Sequence, residues 1–202
     1  MRRKNNKGIS QLFGEIIETL YVTGKKIRLR KVRISDAQAE YTWRTDLELV
    51  SLDATTLLTT PFAHFLLDYG ATLRFISNRH RFAVETLDGK HIGNCMYYNI
   101  NDTSDEAEIG IMIGDRDYWE KGYGTDAVTA LVNYVFLRTD IKRVHLKTLD
   151  WNLRAQQCFK KCGFKPYGRL NRDGYTFMLM ELYRKQRIDQ PKESNRFSTE
   201  VA

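Results

Sequence analysis

The sequence predicts a mixed β-sheet with helices packed on its faces, in the α/β or α+β class. Short runs with strand-like alternation or continuous apolar character recur along the chain, at 26–32, 81–86, 91–99, 106–114 and 143–149. Between them lie segments whose apolar residues follow helical spacing, above all 125–137 and 152–161. The resulting order, β-α-(α)-β-β-β-α-β-α-β-β, interleaves the two kinds of element, as a sheet covered by helices requires.

Residues 1–24 read as an N-terminal extension. Arg2, Arg3, Lys4 and Lys7 make a basic, solvated arm, and Ile9, Leu12, Phe13, Ile16, Ile17 and Leu20 fall on one side of a short amphipathic helix. The domain proper is expected over 25–186. Its first strand alternates from Lys26 to Val32, and Ser35 then serves as a cap for a helix through Tyr41 and Trp43, with Asp36 in the first turn. Residues 50–75 hold aromatics and leucines without a clean period and are assigned at most one further helix. Arg81–Thr86 and His91–Asn99 form a hairpin about Asp88-Gly89, which offers the left-handed positions a tight turn needs. Glu106–Gly114 is mostly apolar and therefore central. A broad apolar face runs from Thr125 to Leu137, Arg143–Leu149 is a strand, and Asn152–Lys161 is a helix stopped at Gly163. Strands near 165–169 and 175–183 close the domain, and 187–202 is a polar tail.

The chain has 202 residues, 42 % hydrophobic and 28 % charged, which fits one folded domain with tails. A formal charge of +7 attracts anions: nucleic acid, acidic lipid or a polyphosphate ligand. No nucleic-acid-reading motif accompanies it, so a nucleic-acid module is disfavoured. The three cysteines, Cys95, Cys158 and Cys162, form no disulfide framework, and no histidine near the close pair supplies a zinc pattern, so reduced thiols, no metal and a cytoplasmic setting are expected. There is no membrane-length apolar run and no signal sequence.

The chemistry concentrates at Trp119-Glu120-Lys121-Gly122-Tyr123-Gly124-Thr125, between a strand and a helix. Gly122 and Gly124 let the backbone approach a ligand, the helix start presents free N–H groups, and Lys121 adds charge, so the segment suits a pyrophosphate. It lacks the spacing of the P-loop and of the dinucleotide-binding glycines. A plain glycine turn is the competing reading.

Taken with Ile27-Arg28-Leu29-Arg30, Ser35-Asp36-Ala37, Glu106–Ile111 and the late group Asn152, Arg154, Ala155, Phe159, Lys161, Gly163 and Phe164, this segment resembles the GNAT family of N-acetyltransferases. Its branch of ribosomal-protein N-terminal acetyltransferases is the nearest likeness, over roughly 25–185. The resemblance implies a mostly antiparallel sheet with a splay between two central strands. It also implies acetyl-coenzyme A as cosubstrate. Residues 119–125 would hold the pyrophosphate with Trp119 in place of the family's usual Arg or Gln. Ile111, Met112 and Ile113 would meet the pantetheine arm, as would Asn152, with Arg154 and Lys161 toward the nucleotide phosphates. The Ile113 amide would be the oxyanion donor, and Glu108 the base, directly or through water, with Glu106 as the weaker alternative; a carboxylate that only binds a cationic substrate, or a solvated strand residue, is the competing reading of Glu108. Phe159 stands where the family often has the tyrosine that protonates the thiolate, leaving Tyr97, Tyr98, water or nothing for that role. Trp43, Asp46, Glu48, Asp53, His64 and Tyr97 are candidates to receive the amine, which could be a protein N-terminus, a polyamine, an aminoglycoside or an amino sugar. A homodimer is compatible with this reading. A non-catalytic acyl-coenzyme A sensor on the same fold is the alternative.

Overall fold

The computed structural model describes residues 22–74 and 79–188. The basic arm at 2–7, the amphipathic segment at 9–20 and the tail from 189 lie outside the described residues. Eight strands form one sheet: β1 (Val22–Thr23), β2 (Ile27–Lys31), β3 (His80–Thr86), β4 (His91–Asn101), β5 (Glu106–Ile113), β6 (Arg143–Leu149), β7 (Lys165–Arg172) and β8 (Tyr175–Tyr183). The spatial order is β1-β2-β3-β4-β5-β6-β8-β7. Every neighbouring pair is antiparallel except β5 and β6, which run parallel. The helices are α1 (Ala37–Arg44), α2 (Leu47–Leu52), α3 (Phe62–Thr72), α4 (Tyr123–Arg138), α5 (Leu153–Lys161) and α6 (Arg184–Ile188).

Helix α4 is the crossover that a parallel β5–β6 pair demands. Its Val128, Leu131, Val132 and Val135 are buried against Ile27, Leu29, Val84 and Ile92 of the sheet. Each such side chain contributes about 1.5–3 kcal/mol on removal from water. Successive strand residues point to opposite faces. Ile92 therefore faces the core under α4 while its neighbour His91 faces away, edge-on to Trp43 of α1 with ring centroids 4.9 Å apart. The two helices thus sit on opposite faces of β4.

Three local details differ from the sequence reading. Val22-Thr23 pairs with β2 as a short edge strand although the sequence marks it as extension. The helix start at 34–36 is organised by Asp36, whose carboxylate accepts the Arg33 N–H at 2.8 Å, while Ser35 is exposed and caps nothing. Asp36 wins because the buried Arg30 guanidinium holds it bidentately at 2.8 Å on both oxygens. At the β3–β4 hairpin only Gly89 is left-handed (φ 95°), the Gly89 N–H donates to Thr86 O at 3.0 Å, and the ladder shifts register between Val84 and Glu85. That is a bulged turn rather than a two-residue primed one. The stretch 50–75 contains the second half of α2 and all of α3. They escape sequence periodicity because α3 buries Phe65 and Tyr69 in a small separate cluster with Ala37 rather than in the main core.

Candidate active site

The parallel pairing of β5 with β6 is brief. It joins Glu106 to Arg143, Ala107 to Val144 and Glu108 to His145. Beyond Glu108, β5 stays paired with β4 out to Ile113, while β6 stays paired with β8 out to Leu149. The two central strands therefore part, and the β6-facing backbone of 109–113 carries no ladder there. Unpaired strand edges are templates for an extended ligand.

Glu108 stands at the fork. It accepts hydrogen bonds from Tyr98 Oη (2.8 Å), Asn99 Nδ2 (3.0 Å) and Lys147 Nζ (2.6 Å). Asn99 reaches it from a bulge in β4 where its own φ is 50°; bulges re-aim side chains in this way. Burial opposes the charged form of Glu108, yet the bonds from Lys147, Tyr98 and Asn99 outweigh it and hold the carboxyl below its ordinary range.

At the far end of β5 the chain enters the glycine turn. The Trp119 indole N–H donates to Ile113 O at 2.6 Å, and the Arg154 guanidinium stacks 3.5 Å from the centre of the Trp119 ring. Glu120 (φ 58°) and Gly122 (φ 86°) both take left-handed backbone, and Gly122 is the residue that caps α4. The bond from Asp126 N–H to Gly122 O (3.0 Å) opens the helix. The N–H groups of Tyr123, Gly124 and Thr125 precede it and have no intrahelical acceptor. With the helix dipole they form an anion site. Asp126 does not neutralise the turn, because its carboxylate is drawn away by the N–H groups of Lys25 (3.0 Å), Lys26 (2.7 Å) and Ile27 (3.2 Å). Lys26 Nζ also holds Lys121 O at 2.8 Å, tying the turn to the first strands.

Both features open onto one cavity of about 500 Å³. Ile111, Met112, Ile113, Trp119, Glu120, Gly122, Gly124, Thr125, Asn152, Arg154, Lys161 and Asp53, all singled out from sequence, line it together. Asn152 also caps α5, its Oδ1 accepting the Ala155 N–H at 3.1 Å. The remaining candidates lie elsewhere. Lys121 Nζ turns back to Asp117 O at 2.7 Å, and Tyr123 packs edge-on against Tyr118 with ring centres 4.9 Å apart. Trp43 is buried, its ring filling the space beside Gly114. Asp46 caps α2 and, with Glu48, holds Arg116. His64 is exposed on α3. Tyr97 is buried and stacked on His80, with ring centres 4.3 Å apart. Phe159, which the resemblance set at the position of the family's tyrosine, lines the cavity too, and Leu49, Leu52, Tyr118, Leu153, Ala155, Gln157 and Cys158 complete the wall without having been assigned to it from sequence. Ala155 follows Asn152, and Cys158 follows Ala155, at helical spacing, a signal that could have placed them. For Leu49 and Leu52 the aperiodic stretch holds none.

Asp53 contrasts with Glu108. Its carboxylate has no hydrogen bond among the described residues, although Arg44 and Lys147 act on it at a distance. Surrounding protein raises it to about 6, and those two cations only partly counter the effect. Water reaches the carboxylate through the cavity mouth, so the shift is fullest once a ligand displaces that water.

The profile of the acetyltransferase (GNAT) domain matches residues 26–165. An uncharacterized N-acetyltransferase, p20, of Bacillus licheniformis is 26 % identical over 156 residues, covering 76 % of this chain and 86 % of that protein. Spermidine N-acetyltransferase from Vibrio cholerae, solved with coenzyme A and spermine, superposes with a TM-score of 0.71 at 19 % identity, over 81 % of this chain and 98 % of its own. The aminoglycoside acetyltransferase AAC(6')-Ib, solved with coenzyme A and ribostamycin, reaches 0.70 at 20 % identity, over 84 % of this chain and all of its own (100 %). At those identities the structures speak for the fold. The domain match covers the strands that part, the glycine turn and the cavity between them, and on it this chain belongs to the GNAT acetyltransferase family.

Proposed function

We propose that this protein is an N-acetyltransferase that transfers acetyl from acetyl-coenzyme A to a primary amine by direct attack in a ternary complex. The observation that carries the proposal is the meeting, in one cavity, of a parted strand pair, an anion-binding helix start and an unpaired carboxylate. Amide groups at 123–125 receive the pyrophosphate, aided by Arg154 and Lys161. The backbone of Ile111–Ile113 and the amide of Asn152 line the pantetheine arm. Acetyl-coenzyme A supplies the activated acyl group, and the Ile113 N–H is the donor for the charge that develops on its carbonyl oxygen.

The attacking amine must lose a proton. Glu108, held by three donors and kept below its ordinary range, is a weak acceptor for it. Asp53 is ionised at neutral pH, free of hydrogen bonds among the described residues and close enough to neutrality to take a proton. We assign Asp53 as the base and the anchor for a cationic amine, with Glu108 positioning Tyr98 and Lys147 at the fork. The acceptor that fits is a small polycationic amine, the class named for the Vibrio cholerae structure and bound in the aminoglycoside enzyme. A protein N-terminus of the kind used by the ribosomal-protein branch is the finer alternative.

Phe159 favours a second reading. It is buried in the cavity wall and has no hydroxyl to protonate a departing thiolate. An acyl-coenzyme A sensor would need none. Thiol release from acetyl-coenzyme A across a panel of polyamines, aminoglycosides and peptides decides between them. Turnover with any amine supports the transferase, and tight binding with no turnover on the whole panel supports the sensor.

A further inference from the structure

We propose that Cys158 is a modification site: a thiol in the wall of the acetyl-coenzyme A cavity that exchanges with small-molecule disulfides and, once modified, closes the cavity to the cofactor. Cys158 lines the cavity on α5, directly across from the glycine turn. A Cβ on Gly124 would lie 3.6 Å from Cys158 Sγ and 3.7 Å from Ile113 Cγ1, so the thiol and the end of β5 meet on either side of this glycine. Any group attached to that sulfur must extend into the space between the turn and the parted strands.

The surroundings favour the thiolate. Thr125 Oγ1 donates to Cys158 Sγ at 3.5 Å. The Cys162 thiol, one helical turn on, lies 3.5 Å from Thr125 O and within reach of Cys158. Cys162 lowers the Cys158 thiol most; burial acts against it, and Thr125 and the Lys161 charge add to the lowering, leaving it at about 7. The other two thiols are poor competitors. Cys95 and Cys162 are 0 % and 2 % exposed, and burial pushes the Cys95 thiol well up. A thiol near ambient pH is close to the optimum for exchange.

The step balances without a further oxidant. The Cys158 thiolate attacks one sulfur of a disulfide such as oxidised glutathione or coenzyme A disulfide. A Cys158–sulfur bond forms, the original S–S bond breaks, and the other half departs as a thiolate that takes a proton from water. Excess thiol reverses it. The reactivity stands on the thiol's own setting, and the blocking effect rests on the cofactor reading above.

The test treats the full chain with oxidised glutathione or coenzyme A disulfide and maps adducts by mass spectrometry, with and without desulfo-coenzyme A, which has no thiol to exchange. We expect one adduct per chain, on Cys158, absent in Cys158→Ala, reversed by thiol, and slowed by desulfo-coenzyme A in proportion to the sites it fills. Alkylation by iodoacetamide should rise through a pH of about 7, and Cys162→Ala should move that inflection upward. The proposal is overturned if Cys158 stays bare while the urea-unfolded chain reacts, or if the adduct falls on Cys95 or Cys162. It is equally overturned if calorimetry shows desulfo-coenzyme A bound and the adduct forms undiminished. Should desulfo-coenzyme A fail to bind at all, the cofactor reading falls, while adduct mapping still judges the thiol.

Discussion

Asp53 and Glu108 are both carboxylates near the fork, and their surroundings give them opposite properties. Three donors grip Glu108, whereas Asp53 faces the cavity without a hydrogen bond among the described residues. If Asp53 is the base, Asp53→Asn should lower kcat by about 10²-fold or more. A carboxyl raised in the folded state must be deprotonated to work, so wild-type kcat, which reports the ligand-filled cavity, should fall as pH drops through about 6, and the variant's residual rate should lack that limb. In the free protein water reaches Asp53, so its charge costs the fold little, and no contact of the carboxylate is lost in the variant among the described residues. The variant should therefore melt no lower than wild type at pH 7, and a lower melting temperature would point to a structural role instead. Gly122 is a second single-residue test. Its φ of 86° makes Gly122→Ala cost about 1–2 kcal/mol of strain, read by urea unfolding. Gly122→Glu adds a negative charge where the pyrophosphate would sit, and coenzyme A binding by calorimetry should vanish.

At the level of elements, α5 does two jobs that share one residue. Asn152 caps it through Ala155 N–H and also lines the cavity. Asn152→Ala should cost about 1 kcal/mol of stability from the lost cap. It should weaken coenzyme A binding by more than the cap alone explains, because the helix carries Arg154, Cys158 and Phe159 into the same wall. Asn152→Asp, which retains a capping oxygen but loses the amide donor and adds charge, should restore the stability and leave the affinity low. Equal recovery of both would show that the asparagine serves the helix only. The start of α4 is similarly shared. Asp126 pins the β1–β2 turn, and that contact frees the first-turn amides at 123–125 from a competing carboxylate.

Across the whole molecule, the buried Arg30 guanidinium joins the sheet to the first helix. It bonds both Asp36 oxygens and pairs with Glu85 of β3. Burial opposes the charge on Asp36, but Arg30 and the Arg33 N–H overcome it and hold the carboxyl below its ordinary range. A depressed carboxyl contributes stability that is present above the unfolded value of about 3.9 and is lost as pH falls through the folded one. Asp36→Asn should therefore cost about 3 kcal/mol at pH 7, with the difference from wild type shrinking in acid. A gap that stays constant from pH 7 to pH 3 would contradict that account. Ligand linkage offers a global check on the cavity: coenzyme A at a hundred times Kd should add about 2.7 kcal/mol to the unfolding free energy.

By itself the sequence determined the order of the main strands and helices and the glycine turn, because those depend on periodicity and on local backbone needs, while Ile111–Ile113, Asn152, Arg154 and Lys161 were picked out by the family resemblance and line the same cavity. Gly122 had to be a glycine for its φ, and 119–125 had to join a strand to a helix, whatever surrounded them. The opposite wall of the cavity was not legible in the same way. Leu49 and Leu52 come from a short helical stretch without a clean period, Asp53 was singled out by its type and does line the cavity, Trp43, Asp46 and Tyr97 were plausible by type yet sit in other contacts, and His64 is exposed. Only the tertiary structure decided which of two carboxylates is gripped and which is free, and where β5 and β6 part. Each of those is settled by partners up to about a hundred residues away, such as Lys147 for Glu108 and Lys26 for Asp126, and such distant pairings leave no period in the chain.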